Sequence, residues 1–445
     1  MSFDKNKTID IHTHVFNLKY LPIWGVLNSR GVGENTSKLI EFLLLKITGE
    51  SFDEEVQINK NYKYLSTPNL EVFFDSEDED LIEEITYYAE SNDEIRDSEL
   101  LEKAIQEYGK EINNDKQLRK ILNNEEPSMF KPIRWLINKA LKGFAYLRWF
   151  IFMTKRESKT YESLRYYYPN VNKFVFHMLD TEFYFPGKGD FSSKPHLKIE
   201  EQMNNMLRLM EQNPNKLVGF FGYNPERENR MALVKEAIRK GFTGIKFYPP
   251  LGYNPIQSED LFEYCEEKGI PIFTHCTPTG FEAYKGAGEN ANPKNWEVIL
   301  KKFKKLKLCL GHAGGVNGWF DKIVNNDNAL PESSYAKKVV ELCQDYENVY
   351  TEVGFLDHIE SKSEVNNFVK RLVSIFNTID KPFDFKKKIM YGSDFHVLMN
   401  HKGNLYKNYS KEFTKILDRQ EFKNFKTIKE DFFYNNAEKF LNKQN

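Results

Sequence analysis

Apolar positions in the second half of the chain follow two periods in turn. From residue 172 onward, short apolar runs are separated by longer segments whose apolar residues recur at helical spacing. The runs predict strands at 173–179, 217–222, 243–247, 270–274, 307–311, 348–353 and 388–392. The intervening segments predict helices at 200–212, 228–240, 258–268, 295–304, 334–346 and 364–378. This alternation is typical of repeated βα units that build a parallel sheet.

One more strand is predicted near the amino end. Ile9 and Ile11 favour extended structure over residues 8–14, and the turn signals Asn17 and Pro22 follow. With the seven later runs this makes eight strands. We therefore predict an α/β fold, a (β/α)8 TIM barrel with a large α-helical insertion after the first strand.

The insertion is predicted from helical rather than alternating apolar spacing. An apolar helical segment covers 39–47, and an acidic stretch at 75–84 leads into Ile85, Tyr88 and Ala89 at helical spacing. The chain then divides into three parts. These are the first strand and its loop over 1–28, a helical insertion subdomain over 29–168, and the rest of the barrel with its carboxyl-terminal helices over 169–445.

A third segment of the insertion, 129–153, combines Trp, Phe and Leu with basic residues. Lys139, Lys142 and Arg148 interrupt its uncharged stretches, so it predicts no membrane span. A basic amphipathic helix can lie on a membrane surface or receive a partner. We expect instead a helix that packs on the barrel, or that forms a subunit contact in a homo-oligomer, with its basic stems along apolar surface.

The overall charge is nearly balanced. The 445 residues include 63 Lys and Arg against 65 Asp and Glu, a formal net charge of −2, so no global field recruits nucleic acid or an anionic membrane. The first residues show no signal-peptide pattern, and we expect a cytoplasmic protein. The four cysteines have no paired zinc or redox spacing and are predicted to be reduced and mostly buried.

Two histidines mark the end of the first strand. Because side chains alternate along a strand, His12 and His14 leave the same face and can hold one metal ion together. The alternative is that hydrogen bonds satisfy two polar residues of an apolar strand. Other strands end on a residue that can bind metal or move protons, namely Lys246, His275, His312 and Asp394. Nitrogen and carboxylate ligands suit zinc, and less often iron or manganese.

These motifs resemble the amidohydrolase superfamily and, within it, the amidohydrolase-2-type TIM-barrel proteins. The similarity is carried by the His-X-His pair, the Gly-X-Lys-X-Tyr-Pro-Pro run at Lys246, Thr-His-Cys at His275, Gly-His-Ala-Gly-Gly at His312, Gly-Ser-Asp at Asp394 and the ending at 433–441. Order and spacing agree over 1–20 and about 170–445, but the insertion is not covered.

The resemblance implies a role for each of these residues. His12, His14 and Asp394 would hold the first metal, joined by His275 in one-metal members. In two-metal members His275 and His312 would bind the second ion; with one metal His312 would be an acid–base group beside the substrate. The implied cofactor is one or two divalent ions, with zinc as the first candidate.

Two interpretations of Lys246 are open. In two-metal relatives a lysine at this position carries a carbamate that bridges the ions, because an unmodified ammonium would repel them. Here Lys246 could instead remain a cation that pairs with a substrate carboxylate. Tyr248, after the fourth strand, and His396, two residues beyond Asp394, are further candidates for contact with the substrate.

The expected activity is metal-dependent hydrolysis of a small-molecule amide, lactone or ester by metal-activated water. Asp394 would accept the proton of the water and pass it to the leaving group, while His312 steadies the oxyanion. A metal-dependent decarboxylase of the same branch is the alternative. A third hypothesis is a non-catalytic binding protein, but the full set of metal-binding side chains argues against it.

Three further features carry weaker expectations. His177, inside the second strand, is predicted to be a packed core histidine rather than a substrate contact. Glu352, at the end of the seventh strand, either orients a ligand or is a solvated carboxylate. The glycine- and proline-containing loop 276–293 is either a movable lid or an ordinary exposed loop.

Overall fold

The structure is a computed structural model that describes residues 7–29, 31–48, 99–107, 147–182, 193–325, 327–400 and 404–442. Within these ranges eight strands form one sheet in sequence order. They are β1 (Thr8–Thr13), β2 (Val171–His177), β3 (Leu217–Gly222), β4 (Gly244–Phe247), β5 (Ile272–Thr274), β6 (Leu308–Leu310), β7 (Val349–Glu352) and β8 (Ile389–Met390). Neighbouring strands are parallel throughout. The predicted TIM barrel is confirmed.

The two ends of the sheet meet where the chain leaves β8. The backbone N–H of Ile11 donates to the carbonyl of Tyr391 at 3.1 Å, and the N–H of Asp394 donates to the carbonyl of His12 at 2.7 Å. Thr13 also forms a parallel bridge with Phe395. The sheet therefore nearly closes into a barrel, and this seam sets the His-X-His segment beside Asp394.

Helices alternate with the strands, as predicted. The described α-helices are Ile23–Ser29, Glu34–Ile47, Glu99–Glu107, Leu147–Phe152, Glu157–Tyr167, Ile199–Gln212, Arg230–Lys240, Glu259–Lys268, Pro293–Lys302, Tyr335–Asp345, Glu364–Phe376, Leu405–Leu417, Ile428–Glu430 and Asn436–Leu441, with a π-helix at Asp431–Asn435. Among the described residues, no helix combines the length and the apolar character that a membrane span requires.

Six predicted strands are longer than the observed ones, and for β5 and β8 the reasons are local. β5 begins after Pro271, which has no N–H to donate to a neighbouring strand. β8 ends at Met390 because the N–H of Tyr391 donates to the carbonyl of Phe432 at 2.9 Å rather than to β7. The shortened β8 releases the Gly-Ser-Asp segment from the sheet.

An apolar core holds the strands together. It contains buried residues of β1, β2, β3 and β5 to β8, together with Ala437, Phe440 and Leu441 of the last helix. The ring of Phe440 lies 6.2 Å from that of Phe220 and 5.5 Å from that of Tyr350, measured between centroids. A barrel interior packed in this way is a rigid platform for the residues at the strand ends.

The chain divides into two compact units. The barrel unit comprises Met1–Val15, Leu164–Asp180 and Ile199–Asn445, and the second unit comprises Phe16–Ser163 and Thr181–Lys198. In the second unit the Glu107 carboxylate accepts the N–H groups of Asn35 and Thr36, at 2.8 and 2.9 Å, and so satisfies the amino end of helix Glu34–Ile47.

That helix contains the apolar segment predicted at 39–47. The segment predicted at 75–89 and most of the one at 129–153 lie outside the described residues. The boundaries at 28 and 168, and the subunit contact, therefore stay predictions.

Candidate metal centre

The barrel gathers the predicted site residues at the carboxyl ends of five strands. All are buried except Tyr248, which is half-buried. They are His12, His14, Lys246, Tyr248, His275, His312, Asp394 and His396. Because the barrel is nearly closed, residues from β1, β4, β5, β6 and β8 face one another across it.

His12 and His14 meet Asp394 at the seam of the barrel. Their Nε2 atoms lie 3.3 and 3.2 Å, respectively, from the same oxygen, Oδ1 of Asp394. These three residues form one group whose ligand atoms are close enough to hold an ion. The predicted first-metal ligands are thus brought together.

The other ring nitrogen of each histidine defines its tautomer. Nδ1 of His14 lies 3.0 Å from the carbonyl oxygen of His177, which can only accept, so this nitrogen carries the hydrogen. Nδ1 of His12 lies 3.1 Å from Oε1 of Glu352 and donates to it when Glu352 is ionised. Both Nε2 atoms therefore present lone pairs to the Asp394 carboxylate. Such a contact is repulsive unless a cation lies between the groups.

His275 and His312 form a second pair of the same kind. Nε2 of His275 donates to the carbonyl of Thr279 at 2.8 Å, and Nδ1 of His312 donates to the carbonyl of Gly354 at 2.9 Å. The remaining nitrogens, Nδ1 of His275 and Nε2 of His312, lie 2.9 Å apart with a lone pair on each. This donor set fits a divalent cation.

Burial keeps the rings of His12, His275 and His312 neutral. It lowers the pKa of His12 and His275 well below the ordinary value, and neighbouring positive or imidazole groups lower it further. Burial also lowers the pKa of His312, to about 4, against the opposing effect of Asp394. Neutral imidazole is the form that binds metal.

Lys246 lies beside the same centre. Its Nζ is 3.4 Å from Nε2 of His12 and 4.2 Å from the ring centroid of Phe273. Burial lowers the pKa of its ammonium to about 8, which Asp394 and Glu352 oppose. Among the described residues, no carboxylate lies within ion-pair distance of Nζ.

The backbone at two candidate ligands is held in the left-handed region. His312 and Asp394 each have φ of 58°, which residues with side chains rarely adopt. Local packing must hold such residues in place, and they often occur at functional sites.

Beside Asp394, the Asp10 carboxylate accepts the N–H of His12 at 3.2 Å and the N–H of Ser393 at 2.9 Å. Asp10 thereby ties the His-X-His strand to the Gly-Ser-Asp segment.

The start of loop 276–293 packs onto the site. The hydroxyl of Tyr248 accepts the N–H of Phe281 at 2.8 Å, and its ring lies 4.6 Å from that of His275. Gly280 has φ of 153°, and a Cβ there would lie 2.8 Å from Nε2 of His275 and 2.9 Å from the Tyr248 hydroxyl. Only glycine fits there, so this part of the loop is a wall of the site.

Two further histidines lie at the same end of the barrel. His177 is buried, donates from Nε2 to the carbonyl of Ile11 at 2.8 Å and packs 4.2 Å from the ring of Phe273. That environment matches the predicted core histidine. His396 is fully buried, and its ring centroid lies 6.2 Å from that of His14.

Sequence reasoning left the role of Glu352 open. The side chain is fully buried, so the solvated alternative is wrong. Its carboxylate accepts the backbone N–H of His312 at 2.6 Å and contacts the ring of His12. Burial raises the pKa of this carboxyl to about 8, and the N–H donors of His312 and Gly354 oppose that shift. Its place at a strand end was the signal, but its partners could not be read from the sequence.

Comparison with known families identifies the chain. The family model described as Amidohydrolase matches residues 196–443, more than half of the sequence, and the chain belongs to this family. The resemblance inferred from the motifs is confirmed. A comparison with curated proteins found no match.

Several solved structures are similar to part of this chain. A probable 2-pyrone-4,6-dicarboxylic acid hydrolase from Acinetobacter baumannii, with citric acid bound, is 14% identical over 64% of this chain and 88% of its own, with a TM-score of 0.43. An amidohydrolase from Burkholderia multivorans with bound zinc is 10% identical over 63% and 86%, with a TM-score of 0.42.

A third structure is a 5-carboxyvanillate decarboxylase from Novosphingobium aromaticivorans, complexed with manganese and 4-hydroxy-3-methoxy-5-nitrobenzoic acid. It is 12% identical over 75% of this chain and 92% of its own, with a TM-score of 0.44. At TM-scores this low, none of the three structures identifies the reaction of this chain.

Proposed function

We propose that this amidohydrolase-family chain is a metal-dependent hydrolase that cleaves an amide, lactone or ester bond of a small molecule. The observation that supports it is a pair of donor groups at the strand ends: His12 and His14 meet the Asp394 carboxylate, and the ring nitrogens of His275 and His312 lie 2.9 Å apart. Lone pairs so close together repel one another, and a bound cation removes this repulsion. Zinc is the first candidate because nitrogen ligands dominate, and manganese is the second.

The ligands divide into two groups. His12, His14 and Asp394 would hold the first ion, and His275 and His312 would complete its shell or hold a second ion. A bound divalent ion lowers the pKa of a coordinated water from about 15.7 towards about 7 and polarises a substrate carbonyl.

Asp394 is the proposed proton acceptor. Its Oδ1 faces both Nε2 atoms of the His-X-His pair, so the carboxylate lies at the place where the reacting water would be bound. It would take the proton of that water and deliver it to the leaving group. Nε2 of His312 carries a lone pair, which favours a ligand or proton acceptor over a donor to the oxyanion.

Lys246 decides how many ions the centre holds. As a carbamate it would bridge two ions, whereas as an ammonium beside His12 it would favour a single ion and an acidic substrate. Metal content of the wild type and of Lys246→Ala, both purified with bicarbonate, separates these cases. Two ions that fall to one or none in the variant would support the bridge, and one ion that is unchanged would support the free lysine.

A decarboxylase is the second candidate, because Lys246 is a buried amine without an ion pair to a carboxylate among the described residues. Such a group suits the carboxylate that a decarboxylase must hold. Tyr248 and His396 are proposed to line the same substrate pocket.

One assay separates the two reactions. A panel of small lactones, esters, amides and aromatic acids would be incubated with zinc- or manganese-loaded protein. Cleavage without carbon dioxide would support the hydrolase, and release of carbon dioxide from an acid would support the decarboxylase. No turnover by loaded protein on a broad panel would favour the binding protein. The cytoplasmic location and homo-oligomer stay predictions.

A further inference from the structure

Glu352 receives three N–H groups on one buried carboxylate. Oε1 accepts the backbone N–H of His312 at 2.6 Å and the Nδ1–H of His12, 3.1 Å away. Oε2 accepts the backbone N–H of Gly354. The side chain is fully buried. All three donors belong to residues that form or support the candidate metal centre.

The same carboxylate holds the rings of His12 and His312 in place, the first by a direct contact and the second through the backbone. It contacts the ring of His12 directly. It fixes His312 through the backbone N–H, and through Gly354, whose carbonyl holds Nδ1 of the His312 ring at 2.9 Å. One side chain from β7 therefore connects a candidate ligand of β1 with a candidate ligand of β6.

The Glu352 carboxylate packs against two glycines, Gly354 and Gly392, which leave no room for side chains of their own. A Cβ on Gly354 would lie 2.8 Å from Oε2 of Glu352 and 3.1 Å from Nδ1 of His12. A Cβ on Gly392 would come closer to Oε2 than nonbonded atoms can approach. Glycine is therefore required at the first position of the Gly-Ser-Asp motif, because the Glu352 carboxylate packs against it.

We propose that Glu352 is a positioning residue of the metal centre, which fixes the tautomer of His12 and the ring orientations of His12 and His312. In its ionised form, which a cation bound at the centre favours, Glu352 only accepts hydrogen bonds, so Nδ1 of His12 then carries the hydrogen and Nε2 presents its lone pair. Hydrogen bonds of this type orient metal-binding histidines in general. The inference rests on the proposed metal centre.

Glutamine cannot replace this acceptor. An amide NH2 at the Oε2 position would face the N–H of Gly354, donor against donor. An amide NH2 at the Oε1 position would face the N–H of His312 and would favour the His12 tautomer whose Nε2 carries hydrogen and cannot bind metal. Glu352→Asp keeps an acceptor-only group that is one methylene shorter, so it should fall between wild type and Glu352→Gln.

The test measures metal binding rather than turnover. Zinc affinity of wild type, Glu352→Gln and Glu352→Asp would be determined by competition with a chelator, along with the visible spectrum of the cobalt-loaded forms and thermal unfolding of the metal-free forms. Asp431→Asn is the matched control. Asp431 is also a buried barrel carboxylate, but its partners Thr427, Lys387 and Asn435 lie away from the centre.

We expect Glu352→Gln to bind zinc about 10- to 100-fold more weakly, with an altered cobalt spectrum. Asp431→Asn should lose thermal stability while its affinity and spectrum stay as in wild type. Wild-type affinity and spectrum in Glu352→Gln would overturn the proposal, as would an affinity loss that Asp431→Asn reproduces. If Glu352→Gln fails to fold, Glu352→Asp decides by the same two readouts. A wild type that binds no metal would instead refute the centre itself.

Discussion

Nε2 of His312 lies 2.9 Å from Nδ1 of His275, and the hydrogen of each ring points away, to the carbonyl of Gly354 or of Thr279. Two lone pairs at this separation repel each other. The pair therefore fits a shared cation, and we propose that it extends the centre beyond the His-X-His motif.

Removal of one member of this pair should weaken metal binding strongly. For His275→Asn we expect a loss of zinc affinity greater than the roughly 10- to 100-fold typical for a supporting residue, since a direct ligand disappears. Chelator competition measures it. His358→Asn, at a half-buried histidine paired with Glu364, serves as the control and should bind as wild type does. Equal affinity in His275→Asn and wild type would remove His275 from the centre.

Asp394→Asn should separate chemistry from binding. The amide oxygen can still reach the ion, but it accepts a proton far less readily than a carboxylate. On any substrate that the wild type turns over, we expect kcat to fall by roughly 10²- to 10⁴-fold. Metal content should fall much less. A variant that binds metal more weakly but keeps kcat when fully loaded would show that Asp394 is a ligand without a role in proton transfer.

The carboxylate of Asp10 should contribute to stability through the seam of the barrel. Asp10→Ala leaves the buried N–H groups of His12 and Ser393 without this acceptor, at a cost of about 1–3 kcal/mol for each orphaned donor. Asp10→Asn keeps one oxygen acceptor and should lose less. Urea unfolding of the metal-free proteins measures the difference. Equal stability of the two variants would mean that Oδ1 does not hold the seam.

The strands and the positions of the candidate site residues could be predicted because their signals are local. Apolar runs of strand length, several of them ending at a histidine or an acid, reveal the barrel edge without knowledge of long-range contacts. His12, His14 and Asp394 meet in the structure because β1 and β8 are adjacent in a closed barrel. Strand ends were less accurate, since the end of β8 depends on a hydrogen bond between Tyr391 and Phe432, far apart in sequence.

The role of Glu352 could not be predicted for the same reason. Its partners His312 and His12 are 40 and 340 positions away. A sequence shows only an acid at a strand end, which is equally typical of a solvated side chain. The tautomer of His14 depends in the same way on a carbonyl 163 positions away, that of His177. Tautomers and supporting contacts are properties of the assembled barrel.

Acid should reduce the stability that His312 gives to the metal-free protein. Burial lowers the pKa of this ring from 6.5 to about 4 in the folded chain. Between these values the unfolded chain binds more protons, so the free energy of unfolding falls as the pH falls. The stability difference between wild type and His312→Asn should therefore shrink from about pH 6.5 towards pH 4. A difference that is constant with pH would mean that the ring is not neutralised by burial.

Elemental analysis of metal per chain tests the central claim most directly. Wild type and a His12→Asn, His14→Asn double variant would be reconstituted with zinc in the presence of bicarbonate, freed of loose metal and checked for folding by circular dichroism. We expect at least one ion per wild-type chain and at least one ion fewer in the folded double variant. A wild type that retains no ion, or a double variant that retains as much as the wild type, would contradict it.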